Sequence, residues 1–180
     1  MWLEEVDASW TLFLDRDGVI NQRNFEGYIT KVEDFIFTPY FLTSIPVLSN
    51  LFGKVIIITN QQGIGKGLMT EDCLQEIHQF MINEIHHVGG RIDKVFYANN
   101  LKNTLNDRRK PLPVMGVEAQ NQFPSINFSK SVMIGDTNSD LLFGKNLGMK
   151  TILMKSTEQI NIQADLEIND FNELVLKLIV

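Results

Sequence analysis

The sequence predicts an α/β fold: a mostly parallel sheet in a three-layer arrangement, with helices on both faces. Three observations predict it. Short apolar runs of strand length alternate along the chain with segments whose apolar residues recur at helical spacing. The run Val55-Ile56-Ile57-Ile58 is continuous in β-branched residues, as suits a strand covered on both faces. The segments between runs are too short for a large inserted domain, so residues 1–180 read as a single domain with a sizeable core.

In chain order, the first strand is Thr11 to Leu14. A weaker helix follows over 40–51, with Pro46 as a kink or a start. The second strand is 54–59. Thr70 caps a helix over 71–88, in which Leu74, Ile77, Met81, Ile85 and Val88 make one apolar stripe and Gly89-Gly90 the stop. The third strand is 94–97. A helix over 114–122, a strand over 131–134, a helix over 139–147 and a strand over 151–154 come next, and a short helix over 171–180 ends the chain. Two irregular stretches remain, 21–37 and 99–110, of a length that is usually functional or mobile.

Composition excludes several classes. Apolar residues are 44% and charged residues 21%, ordinary for a globular protein. Sixteen basic against 22 acidic residues give a net charge of −6, with no dense basic run, which argues against nucleic acid as the main partner. No apolar run approaches the ~20 residues of a membrane span. Met1 to Ser9 is acidic and lacks the order of a signal peptide. Cys73 is the one cysteine, so no intrachain disulfide can form, and a cytoplasmic location is expected. A monomer or weak homo-oligomer is expected.

Chemistry concentrates just past the strands. Asp15-Arg16-Asp17-Gly18-Val19-Ile20-Asn21 follows the first; Thr59-Asn60-Gln61 ends the second and opens a glycine-rich turn. Arg108-Arg109-Lys110-Pro111 closes the irregular segment after the third, and Gly135-Asp136-Thr137-Asn138-Ser139-Asp140 follows the fourth. In a parallel sheet these positions share one edge, where ligands bind. The set offers four carboxylates, a threonine hydroxyl, amides and a cationic cluster, the equipment of phosphoryl transfer. Two aspartates that close repel unless a cation lies nearby, and Mg²⁺ favours carboxylate oxygens. Each element also has an ordinary reading. Aspartates cap helices, Thr59 can simply end a strand, Lys110 can be a surface lysine, and Asp140 suits a helix N-terminus. Ser139 reads as a cap, not a nucleophile. Gly63, Gly65 and Gly67 do not make a Walker loop, because Asn60 stands where its first glycine belongs. His78, His86 and His87 read as surface or helix-end residues, and Cys73 as structural.

With these motifs in hand, the chain resembles the haloacid dehalogenase (HAD) superfamily of phosphatases. It is most similar to the capless branch that holds histidinol-phosphate phosphatases and D-glycero-D-manno-heptose 1,7-bisphosphate 7-phosphatases. The 15–21 motif matches almost letter for letter. Glu26-Gly27-Tyr28, Thr59-Asn60-Gln61, Gly63-Ile64, Arg109-Lys110-Pro111 and Leu147-Gly148-Met149-Lys150-Thr151 match in order, over roughly Leu12 to Met154. The resemblance implies a Rossmann-like HAD fold without a large cap. It implies Asp15 as the nucleophile that becomes an aspartyl-phosphate, and Asp17 as general acid and base. Mg²⁺ would be held by the Asp15 and Asp136 side chains and the Asp17 carbonyl. Thr59 would grip phosphoryl oxygens, and Lys110 would neutralise charge and orient Asp15. Asp140 would tie down Lys110 or a metal-bound water. Asn60, Gln61, Lys66, Arg108 and Arg109 would face substrate, although the ordinary reading, with Arg108 facing solvent, is the stronger one for that residue. The implied substrate is a small phosphorylated metabolite: a heptose bisphosphate, or histidinol phosphate. A catalytically silent phosphoryl-binding protein and a polynucleotide end-repair enzyme are the readings from other classes.

Relatives carry a zinc-binding loop before the Arg-Lys-Pro motif. Here its ligand positions correspond to Ala98, Asn100, Asn106 and Arg108, none a good zinc ligand. The loop would therefore be ordered by packing or by substrate. Thr137 is a second departure, at a position where relatives often carry Lys, Arg or Ser. The purified protein is expected to contain no stoichiometric zinc; about one zinc per chain by elemental analysis would contradict this.

Overall fold

The structure, a computed structural model, describes residues 2–179. Its strands are β1 (Thr11–Leu14), β2 (Lys54–Asn60), β3 (Lys94–Ala98), β4 (Ser131–Gly135), β5 (Lys150–Met154) and β6 (Leu166–Ile168). Its α-helices are α1 (Phe41–Leu51), α2 (Gln62–Gly65), α3 (Glu71–His87), α4 (Val114–Gln122), α5 (Asn138–Leu147) and α6 (Phe171–Ile179). The strands form one sheet in the order β3-β2-β1-β4-β5-β6, with every neighbouring pair parallel.

Alternation along the central strands builds the layers. Leu12, Leu14, Val55 and Ile57 point to one face, where Phe41, Ile45 and Leu48 of α1, the α3 stripe and Phe171 and Leu174 of α6 cover them. Phe13, Ile56 and Ile58 point to the other, against Met115 and Ala119 of α4 and Phe143 of α5. Both faces are dry, which is why β2 is apolar from Val55 to Ile58. The expected elements are present with shifted ends. β2, β3 and β4 each run one residue further, and β5 and α5 each start one residue earlier. Pro46 lies inside α1. α3 stops at His87, after Thr70 caps its start by accepting from the Cys73 amide. The expected end of the last helix, Val180, lies outside the described residues. The short elements β6 and α2 were not expected.

Two devices hold the frame. Arg91 donates to the carbonyls of Ser49 (2.6 Å) and Phe52 (2.8 Å), which α1 leaves unpaired at its C-terminus, and pairs with Asp93. The stretch 21–37 doubles back on itself, bridging Asn21 to Phe37, and is pinned by rings. Phe37 stacks on Phe41 at 5.9 Å, and Phe41 meets Phe171 edge-on at 5.1 Å. Among the described residues no helix is long and apolar enough to cross a membrane. Phe41→Ala removes the ring that joins α1, α6 and the 21–37 return. It is expected to cost about 3–5 kcal/mol, read as a lower urea midpoint with an unchanged m-value.

Candidate active site

β1 lies between β2 and β4, so the chain's crossovers run to opposite sides of it. That switch point opens a crevice past the strand ends, where ligands of such sheets sit. Asp15 leaves β1 with its amide still bonded to the Ile134 carbonyl of β4 (2.9 Å), and Asp136 leaves β4 beside it. Asp15, Asp136 and Asp140 are buried, and each offers a carboxylate oxygen within 4.8 Å of the others. Gly18 permits this approach. Its φ is +92°, and a Cβ there would stand 2.1 Å from Asp136 Oδ2.

Lys110 enters from the segment between β3 and α4. Its ammonium lies 2.6 Å from Asp15 Oδ1 and 2.6 Å from Asp140 Oδ1, and donates to the Ile58 carbonyl at 2.7 Å. With 4% of its surface exposed, it is no surface lysine. Asn60, the last residue of β2, delivers it: Oδ1 accepts from the Lys110 amide (2.9 Å) and Nδ2 donates to the Lys110 carbonyl (3.2 Å). Asp140 serves twice. Its Oδ2 caps α5 through the Thr137 amide (3.0 Å) and hydroxyl (2.6 Å) while Oδ1 faces Lys110. The ordinary helix-cap reading and the site reading are both true of this residue.

Similar proteins share this frame. A family model described as HAD-hydrolase-like matches residues 107–172. The D-glycero-beta-D-manno-heptose-1,7-bisphosphate 7-phosphatase of Rhodopseudomonas palustris is 34% identical over 144 residues, 76% of this chain and 78% of that protein. The protein of the same name from Helicobacter pylori is 30% identical over 172 residues, 94% of this chain and 98% of that one. The chain belongs to the HAD phosphatase family. A crystal structure of D,D-heptose 1.7-bisphosphate phosphatase from B. bronchiseptica, complexed with magnesium and phosphate, shares the fold. Its TM-score is 0.82 at 23% identity, covering 94% of this chain and 97% of that one.

In this HAD phosphatase the carboxylates outnumber the charges that could balance them. Burial, then the Asp140 charge, pushes Asp15 up to about 8 against the pull of Lys110. Burial and Asp140 push Asp136 up to about 6, against Arg23, whose Nη1 lies 3.1 Å from Asp136 Oδ2. Burial opposes the charge of Lys110, yet Asp140 and Asp15 hold its pKa above the ordinary lysine value. Asp136 Oδ1 is buried and has no hydrogen-bond partner among the described residues. A hard divalent cation with oxygen ligands fits this donor set.

Asp17 is built differently. Burial raises its pKa, but Arg16, Asn21 and Gln61 outweigh that and hold it low. Oδ1 accepts from Arg16 Nη2 (2.9 Å) and Asn21 Nδ2 (3.0 Å), and Oδ2 from Gln61 Nε2 (2.8 Å). Gln61 also donates to the hydroxyl of buried Thr59 (2.8 Å). A cavity of 270 Å³ opens over the group, lined by Asp15, Asp17, Arg23, Tyr28, Asn60, Gln62, Arg109, Lys110, Thr137, Ser139 and Asp140.

Three expectations need correction. Lys66 does not line this cavity; it is exposed and lies 5.4 Å from the centre of the Tyr28 ring. Arg108 turns away to pair with Glu118 of α4, its Nε 3.1 Å from Oε1. His78 is no surface residue: it is 4% exposed, with Nε2 3.3 Å from Arg16 Nη1. Arg23 gave no sequence signal of its own, being one cation in an irregular stretch, and Tyr28 was only a matching letter. The loop before Lys110 is held by hydrogen bonds: Asn100 Nδ2 donates to Thr104 Oγ1 (3.1 Å) and the Asn106 carbonyl (2.9 Å), and Asp107 accepts from the amides of Asn103 and Arg109.

Burial, then Arg16, pulls His78 down to about 3. The native state thus binds fewer protons than the unfolded chain below the ordinary histidine value near 6.5. The His78 contribution to stability is full above that value and is lost as pH falls through the window from 6.5 toward 3, while the raised Asp15 and Asp136 contribute with the opposite sign. The His78 loss between pH 7 and pH 5 is expected to be about 1–2 kcal/mol, measured as the difference between the urea midpoint shifts of the wild type and of His78→Gln over that range.

Proposed function

We propose that this chain is a Mg²⁺-dependent phosphomonoesterase acting on D-glycero-D-manno-heptose 1,7-bisphosphate, from which it removes the 7-phosphate. The observation that carries the chemistry is the Lys110 ammonium set between Asp15 and Asp140 at the floor of the cavity. Lys110 takes Asp15 Oδ1, which leaves the other oxygen to attack phosphorus. The P–O bond to the sugar breaks as the Asp15–P bond forms; Asp17, a carboxylate in the free site, takes up the proton that a phosphate monoester monoanion brings in and passes it to the departing alkoxide. Asp17, now a carboxylate held by Arg16, Asn21 and Gln61, then takes a proton from water. That oxygen attacks phosphorus, phosphate leaves, and Asp15 is regenerated. The Thr59 hydroxyl accepts from Gln61, so its own proton is left to donate to a phosphoryl oxygen. The Asp15 and Asp136 side chains and the Asp17 carbonyl would hold Mg²⁺, which neutralises phosphoryl charge when bound.

Two observations support a bisphosphate. Arg109 lines the cavity, and its Nε is buried with no hydrogen-bond partner among the described residues, so a second anionic group has a guanidinium to meet. The relatives above are named for that substrate. A cytoplasmic site of action suits a metabolite substrate.

The test is a panel of phosphorylated metabolites ranked by kcat/KM with Mg²⁺ present, including heptose 1,7-bisphosphate, histidinol phosphate and p-nitrophenyl phosphate. Heptose bisphosphate is expected first, and Asp15→Asn is expected to lower turnover of every substrate by about a thousandfold or more. A flat ranking, or histidinol phosphate at its head, removes the substrate assignment. Full activity in Asp15→Asn removes the mechanism, and no activity in the wild type leaves a phosphoryl-binding protein.

A further inference from the structure

Arg16 enters the chemistry above only by holding Asp17, and His78 has no part in it, yet both are buried against it. Arg16 is 1% exposed. A guanidinium only donates, and in a dry site each N–H without an acceptor is costly. Arg16 finds two side-chain acceptors: Asp17 Oδ1 at 2.9 Å and His78 Nε2 at 3.3 Å. Its Nε has no partner among the described residues, and Phe35 lies 5.9 Å from its carbon. Because Arg16 cannot accept, Nε2 must be the unprotonated nitrogen of a neutral imidazole. His78 belongs to α3, on the face that carries Leu74, Ile77, Met81 and Ile85 into the core. A helix built to cover a sheet would place an apolar residue there. The ring is held edge-on by Tyr97 of β3, with centroids 5.7 Å apart, and Tyr97 is in turn bonded to Glu71 at the start of α3.

We propose that His78, acting through Arg16, fixes the orientation of the Asp17 carboxylate toward the leaving oxygen, so that α3, which supplies nothing to the cavity lining, sets the geometry of proton transfer. Both are positioning residues, and the proposal rests on the reading of Asp17 as general acid. Without the His78 acceptor, a second Arg16 donor is orphaned. The guanidinium then turns and carries Asp17 Oδ1 with it. Asn21 and Gln61 still hold the carboxylate, so it is misaligned, not lost.

Leaving groups separate this role from a structural one. A sugar alkoxide needs a proton as it departs; p-nitrophenolate leaves without one. The parameter kcat/KM reports the steps through that first departure. For the fastest sugar phosphate of the panel, His78→Leu is expected to lower it roughly ten- to a hundredfold, and for p-nitrophenyl phosphate by less than about threefold. His78→Gln, which keeps an acceptor near the Nε2 position, is expected to stay within about threefold of wild type on both esters. His78→Asn is polar but too short to reach Arg16. It should behave as Leu does, and it keeps the test available if the Leu variant does not fold. Equal losses on the two esters, or no loss in either variant, overturn the proposal. Asp17→Asn separates the two levels: if it lowers both esters alike, the general-acid reading fails. If it is selective while the His78 variants are not, only the positioning role fails.

Discussion

A lysine ammonium removed from water is tenable only where opposite charges meet it, and Lys110 has two of them. The rest of the site follows from that arrangement. Lys110, lying on one oxygen of Asp15, works against the burial and the Asp140 charge that disfavour its ionised form. Asp140 is fixed because its other oxygen closes the first turn of α5. Asn60 holds the lysine backbone from both sides, so the end of β2 and the loop ahead of Pro111 become one rigid support. Remove the ammonium and three buried carboxylates would face one another, with Arg23 at 3.1 Å from Asp136.

This constraint explains how two unlike carboxylates arise from one short motif. Asp15 sits among other acids, and its negative form is disfavoured. Asp17, two residues on, collects three donors and has its negative form favoured. The strand directs the first toward the acid cluster. The turn at Gly18 sends the second toward Arg16, Asn21 and Gln61. Two groups of identical chemistry whose environments pull their affinities for a proton apart can fill different roles in one reaction.

Much of this was legible in the sequence, for identifiable reasons. Continuous β-branched runs and the α3 stripe have periods that local packing enforces, so the central strands and long helices fall within a residue or two of expectation. β6 escaped because three residues, Leu166–Ile168, cannot show a period, and its pairing with β5 is a tertiary event. Parallel topology alone was enough to bring Asp15, Lys110, Asp136 and Asp140 to one rim. Side-chain direction was not legible. Lys66 and Arg108 stand in motifs beside residues that line the cavity, but one lies over Tyr28 and the other turns to Glu118. His78 misled in the other direction: a single histidine on a helix carries no mark of the arginine waiting beneath it.

The loop over 99–109 contains neither cysteine nor histidine, and its bends are closed by amides, a hydroxyl and the carboxylate of Asp107. Where a thiolate-and-imidazole clasp shapes such a loop, its form follows metal supply and the oxidation state of sulfur. Here the loop that carries Arg109 to the cavity is shaped by bonds that neither peroxide nor a chelator can strip.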